Sequence, residues 1–306
     1  MPKRKEQTEN EVEWNPLYNV TTELFKIVPW GEYTADSFFS ICDEDDEEYF
    51  LSFAEGLYCM PGSDSLRSYI RWLHNRDDKL VQIALRSIAI THGKDGIEFK
   101  SFMPGYIPWT LSEFEVATLT KVYRHAVELL KWIDSEKPKM DFAGFESPTR
   151  RYDKVTGEWV NEVRRLRLPP PAPKLIDPPD EMTLYRISTS PQVDAQLELD
   201  VFMVTKPSTE EGYDRPFYPT LIVLADQPKN IVLDVKLLPP GKDIPEETID
   251  ILIDFIGKYG RPMSLSVQAP EVYGMLYGFC EEAKLPLKMV GFLSTVNFFK
   301  TEKGIE

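Results

Sequence analysis

The chain has 306 residues, 42% hydrophobic and 28% charged, with 50 acidic against 35 basic side chains and a formal net charge of −15. These values describe a soluble globular protein with room for two cores and exclude a disordered chain. They also exclude a basic nucleic-acid footprint, which needs clustered Lys and Arg: acids outnumber bases 26 to 17 in residues 1–150 and 24 to 18 in the remainder.

The acidic excess reads first as a device for solubility and second as a partner-directed surface, including nucleic-acid mimicry. Cys42, Cys59 and Cys280 are too widely spaced for a disulfide framework or a Cys-x-x-Cys metal site. Residues 1–12 open on Pro2-Lys3-Arg4-Lys5 without an apolar stretch behind them and read as a disordered, solvated tail. With no apolar run long enough for a membrane span, a cytoplasmic protein is expected.

In chain order, Asn15-Pro16 is expected to cap a helix carrying Leu17, Val20, Leu24 and Ile27 on one face, with Pro29-Trp30 as its stop. Strands are predicted over 37–42 and 49–53. The six acids Asp43 to Glu48 between them form a charged hairpin tip, lacking the alternation and central Gly of a calcium loop. After a strand at 57–60, Ser63 or Asp64 should cap a helix with Leu66, Tyr69, Ile70 and Leu73 apolar. The Val and Ile content of 81–91 and the turn at Gly93-Lys94-Asp95-Gly96 predict a strand paired with 97–102. Thr110 and Glu113 read as a capping box for a long helix to Asp134, with Leu119, Val122, Ala126, Leu130 and Ile133 inward.

Between those elements lies Phe99-Lys100-Ser101-Phe102-Met103-Pro104-Gly105-Tyr106-Ile107-Pro108-Trp109-Thr110-Leu111. Aromatics beside prolines can make a peptide groove, but more often they pack a loop against the helix it leads into. This run, extended to Glu115, resembles the signature of a family of uncharacterised bacterial two-domain proteins, domains of unknown function. The helix after Asn15, the paired strands and this motif resemble that family's N-terminal domain and residues 220–290 its C-terminal one, which supports the division read from the residues: an N-terminal α+β domain over 13–136, a connector over 137–180 and a C-terminal domain over 181–306. The resemblance implies no activity, cofactor or catalytic residue.

The connector contains a possible strand at 157–168 and ends in Pro169-Pro170-Pro171-Ala172-Pro173, an extended spacer. Its Arg150, Arg151, Lys154, Arg164, Arg165 and Arg167 are the one basic cluster; docking onto the acidic domains is the expected use, ahead of anion or nucleic-acid binding.

Residues 197–204, 220–225 and 231–238 read as three strands of an antiparallel meander, separated by turn formers. Asp243 caps a helix with Pro245 in its first turn and Ile249, Leu252, Ile253 and Ile256 in one stripe, ended by Gly257 and Gly260. A strand at 263–267, a helix from Pro270 and a strand at 287–290 complete βββαβαβ. In that helix Gly274 and Gly278 are expected to let it approach the sheet, Cys280 to be a small core residue, and Tyr273 and Tyr277 to be partly buried. The element order resembles a ribonuclease-H-like α/β domain with a mixed sheet.

That resemblance implies carboxylates on the first strand, at the end of the fourth strand and on a later helix, around two divalent metals. Asp200 lies in the first strand on the face of Glu198 and Phe202. At the end of the fourth stands Gln268, and the nearest acid, Glu271, falls in the following helix. Asp226 reads as a turn residue. His74, His92 and His125 lack metal-ligand spacing, and nucleophile-elbow, phosphate-loop and dinucleotide patterns are absent. The expectation is a non-catalytic protein-binding or regulatory module with an unidentified protein partner, no cofactor or metal, and no nucleic acid. The alternative is a divergent metal-dependent nuclease using Asp200 and Glu271, and an open cleft bringing those two carboxylates together would favour it.

Overall fold

A computed structural model describes residues 14–28, 31–53, 56–93, 96–170 and 179–305, with backbone alone at 91–93 and 96. It is a mixed α/β structure with two mixed sheets and, among the described residues, eight α-helices. The backbone divides into two compact units, Met1–Pro104 with Pro108–Pro171, and Gly105–Ile107 with Ala172–Glu306.

In the first unit, helix α1 (Asn15–Ile27) precedes an antiparallel run of β1 (Phe38–Cys42), β2 (Glu48–Ser52) and β3 (Leu57–Pro61). Then come α2 (Gly62–His74), α3 (Lys79–Ile83), β4 (Ser87–Gly93), β5 (Gly96–Phe102), α4 (Glu113–Glu136), β6 (Glu146–Asp153) and β7 (Glu158–Arg165). The sheet runs β5-β4-β3-β2-β1-β6-β7, and β6 is parallel to β1. Strand alternation sends Phe39, Ile41 and Leu51 into a core with Leu17 and Leu24 of α1 and Leu119 and Val122 of α4. Phe38, Phe50 and Met60 point to the opposite face, against Leu66 and Tyr69 of α2.

Several expectations are corrected here. Trp14, without a side-chain bond, holds the cap position of α1 rather than Asn15, and α2 starts at Gly62 after Pro61 with no side-chain cap from Ser63 or Asp64. Residues 81–91 are not one strand: the Asp78 carboxylate accepts from the amides of Leu80 and Val81 and nucleates α3, so β4 begins only at Ser87. The capping box is Ser112 with Glu115, each side chain accepting from the other's amide, rather than Thr110 with Glu113. Residues 146–165, inside the stretch expected to connect the halves, form the β6–β7 hairpin within this sheet. The Pro29-Trp30 stop, the tail 1–12, Lys94-Asp95 and most of the proline spacer lie outside the described residues.

The second unit begins with α5 (Glu181–Thr189), capped by Asp180. It continues through β8 (Gln196–Met203), β9 (Thr220–Asp226), β10 (Ile231–Leu238), α6 (Ile244–Tyr259), β11 (Ser264–Val267), α7 (Pro270–Glu282), β12 (Leu287–Met289) and α8 (Ser294–Lys303). The sheet order is β10-β9-β8-β11-β12; β8, β9 and β10 are antiparallel, and β11 and β12 run parallel to β8. Asp243 accepts from the Glu246 amide at the start of α6. At its end Gly260 has φ 108°, and a Cβ there would stand 2.6 Å from the Pro191 carbonyl oxygen, so only glycine fits. In this unit Tyr106 bridges Phe217, and the Tyr218 amide donates to the Gly105 carbonyl at 2.7 Å. The centre of the proline-aromatic motif therefore pairs with residues 216–218, while Leu111 at its end shares a core with Val116 and Leu119 of the following helix.

The two faces of this sheet differ. Leu197, Leu199, Ile222, Leu224, Leu265 and Val267 meet α5, α6 and α7 in one core. Leu221, Val223 and Ala225 point the other way, toward Leu293 and Val296 at the start of α8. Helix α8 was not foreseen in the sequence. Gly274 and Gly278 do not face the sheet: both are exposed, and a Cβ at either would meet nothing within 4 Å. Tyr273 is half-buried and Tyr277 exposed, while Cys280 is buried in the core.

Candidate functional site

Because β8 alternates, its odd positions serve the α6–α7 core, and Glu198 and Asp200 share the face covered by α8. Both are buried, with 2% and 6% of their surface exposed. A carboxylate in that position must be hydrogen-bonded or ion-paired, since an isolated charge away from water costs several kcal/mol.

Glu198 is satisfied by the start of α8. Its Oε1 accepts from the Ser294 amide at 2.9 Å and the Ser294 hydroxyl at 3.0 Å. Its Oε2 accepts from the amides of Thr295 at 2.8 Å and Val296 at 3.1 Å. These are free donors of a helix N-terminus, where the macrodipole favours negative charge. No side chain at Leu293 caps α8; Glu198, almost a hundred residues earlier, does so.

Asp200 is satisfied by the same helix two turns later. Lys300 Nζ donates to its Oδ2 at 2.6 Å and lies 3.9 Å from the centre of the Phe202 ring, while its Oδ1 accepts from the Val201 amide at 2.9 Å. The ammonium thus holds an ion pair and a cation–π contact together.

The other expected positions are Gln268, Glu271 and Asp226. Gln268 follows β11, is exposed, and accepts from the Asn297 side chain at 3.4 Å. Glu271 lies exposed in the first turn of α7. Asp226 is more than a turn residue: it ends β9, is 1% exposed, and its Oδ2 accepts from Lys229 Nζ at 2.6 Å. Among the described residues no group of three or more His, Cys, Asp or Glu side chains is placed to hold a metal ion. The chemistry of the donors agrees with that: an amine meets Asp200, backbone amides meet Glu198, and an amide side chain follows β11. A two-metal centre of the kind the fold analogy implies does not fit these residues.

The first unit carries a second polar cluster. His125 of α4 stacks on Trp159 of β7 with ring centres 3.6 Å apart. Arg150 Nε donates to His125 Nδ1 at 3.3 Å and Arg150 Nη1 to Asn161 at 2.9 Å. Burial, and then the Arg150 charge, push the His125 imidazole down to a pKa of about 4. Three members of the basic cluster are engaged by acids of their own unit, Arg151 with Glu162, Lys154 with Asp46 and Arg164 with Glu48, while Arg165 and Arg167 are exposed. In the acidic turn Asp43 is buried, accepting from the amides of Asp45 and Glu47 and pairing with Lys121 at 3.1 Å. Burial also drives the thiols of Cys59 and Cys280 up to about 12.

Lys300 and Ser294 are the site residues that sequence reasoning missed. A signal was present: Leu293, Val296 and Phe299 recur at helical spacing, Lys300 and Lys303 stand in the last turn, and Gly304 follows in a left-handed conformation.

Compared with known proteins, residues 183–302 match a family described as a domain of unknown function, DUF6930. No curated protein matches the chain. Among solved structures it is similar to the HTLV-2 integrase catalytic core domain in complex with magnesium. The dimeric form is 16% identical with TM-score 0.26, covering 35% of this chain and 66% of that one. The trimeric form is 17% identical with TM-score 0.27, covering 36% and 68%.

Proposed function

We propose that this is a non-catalytic protein-binding or regulatory module of the cytoplasm, whose second unit is a ribonuclease-H-like domain with its carboxylates turned to a structural task. The ribonuclease-H-like assignment is supported by the sheet order, an antiparallel meander with two parallel strands added beside its first member. One observation carries the functional reading: Lys300 Nζ stands 2.6 Å from Asp200 Oδ2, where a catalytic metal would need that oxygen.

Glu198 supports the same reading, since its oxygens are spent on the amides of α8. Removing Lys300 from Asp200 and α8 from Glu198 would be required before either could take a metal, and each leaves a buried carboxylate without its partner. A place in the cytoplasm accords with three unpaired cysteines, and among the described residues no helix is long and apolar enough to cross a membrane. The division into an N-terminal α+β domain and a C-terminal domain, with unnamed two-domain relatives, belongs to the same proposal.

The test is incubation of the full chain with single- and double-stranded DNA and RNA in magnesium and in manganese. No cleavage is expected. Metal-dependent cleavage that disappears in Asp200→Asn would establish instead the divergent nuclease, with Asp200 and Glu271 as its first candidates.

A further inference from the structure

Strand β10 closes one side of the second sheet, and among the described residues its only strand neighbour is β9. It is eight residues long and contains no proline. Ile231, Leu233, Val235 and Leu237 are 47%, 36%, 40% and 45% exposed. A long edge with branched aliphatic side chains is a template for another strand, and proteins usually blunt such edges with proline, charge or a bulge. The register shift between Val232 and Asp234 blunts only the beginning; Asp234–Leu238 pair without interruption with Leu224–Thr220.

We propose that β10 pairs with β10 of a second copy of this chain, antiparallel about a two-fold axis at Val235, to form a homodimer. The occupant is identified by charge. In a two-fold antiparallel pair each residue faces the one equally far on the other side of the axis. With the axis at Val235, Asp234 faces Lys236 of the copy twice over, Leu233 faces Leu237, and Val235 faces itself. Moving the axis one residue forward sets Lys236 against Lys236, and one residue back sets Asp234 against Asp234. Like charges directly opposite destabilise a strand pair and opposite charges support it, so one register is selected.

Lys236 already donates to Glu247 of α6 and lies in the field of Asp250 and Asp254. Its ammonium has three donors, so it can receive the copy's Asp234 without giving up Glu247. Those same acids repel the incoming carboxylate, and with a net charge of −15 on each copy they make the association weak. A foreign extended peptide could use the same edge, but nothing in its composition would require both an Asp and a Lys one residue either side of an aliphatic centre.

Sedimentation equilibrium of the full chain over about a hundred-fold range of concentration tests this. The unmodified protein should shift from monomer to dimer, and amide exchange over Ile231–Leu238 should slow as concentration rises. Asp234→Lys, which sets Lys opposite Lys twice, and Val235→Lys, which sets Lys opposite itself, should each raise the dimer dissociation constant by about tenfold or more. Both positions are exposed, and unchanged thermal unfolding of the dilute variants shows that the fold survives. A chain that stays monomeric throughout, leaving the edge to a foreign partner, overturns the proposal. So does a dimer that both folded variants leave intact, or one in which β10 exchange is insensitive to concentration.

Discussion

At the scale of single residues, the Asp200–Lys300 pair distinguishes a structural from a catalytic use of this face. Asp200 is nearly sealed, whereas Lys300 keeps 21% of its side-chain surface exposed. Lys300→Met therefore strands a buried carboxylate and should cost about 3 kcal/mol, while Asp200→Asn, which leaves an amine able to reach water, should cost less. Chemical denaturation of both variants and the double mutant checks the order; a double mutant whose cost is the sum of the two single costs would mean the pair is not coupled. His125 gives a second expectation. Its folded pKa of about 4 lies below that of the free imidazole, so the folded protein resists a proton that the unfolded chain accepts. Its contribution is complete above about pH 6.5 and is lost progressively as pH falls toward 4. Thermal unfolding at pH 7 and at pH 5 should thus show a smaller loss for His125→Gln than for the unmodified chain.

At the scale of elements, β8, β9, β10, α6, β11 and α7 are legible in the sequence because each carries its own period and its own punctuation. Asp243 and Pro245 open α6 and Gly260 closes it, and a two-residue alternation puts Asp200 on the face opposite Leu199. What is not legible depends on partners distant in the chain. Helix α8 takes its cap from Glu198 and its last-turn lysine is claimed by Asp200, about a hundred residues away. Of the β6–β7 hairpin only the second strand is suggested by local pattern, at 157–168; its place in the sheet depends on the parallel pairing of β6 with β1, which no local pattern announces. The Val and Ile of 81–91 match a strand, and the bonds that the Asp78 carboxylate accepts from the amides of Leu80 and Val81 decide for a helix at their start. If Glu198 caps α8 as described, Glu198→Gln keeps the acceptor oxygen and loses the charge that the helix end favours. Amide exchange of Thr295 and Val296 should then quicken by about tenfold, with β11 unaffected; uniform quickening throughout the second unit would show a general loss of stability instead.

At the scale of the whole molecule, two units with separate cores follow from two sets of alternating strands, each needing helices to cover its apolar faces. The chain carries 50 acidic against 35 basic side chains, and the exposed strand β10 is the place proposed above for a second copy to add. An amine and a helix terminus already neutralise the two carboxylates beneath α8. A ligand raises thermal stability in proportion to its preference for the folded state. The most direct test is therefore the melting temperature of the full chain with and without manganese at several hundred times the level of a tight site, roughly millimolar. No rise is expected beyond that produced by a non-binding salt of equal ionic strength. A saturable rise that is abolished by Asp200→Asn would contradict this neutralisation, because Asp200 could then be holding metal and not Lys300.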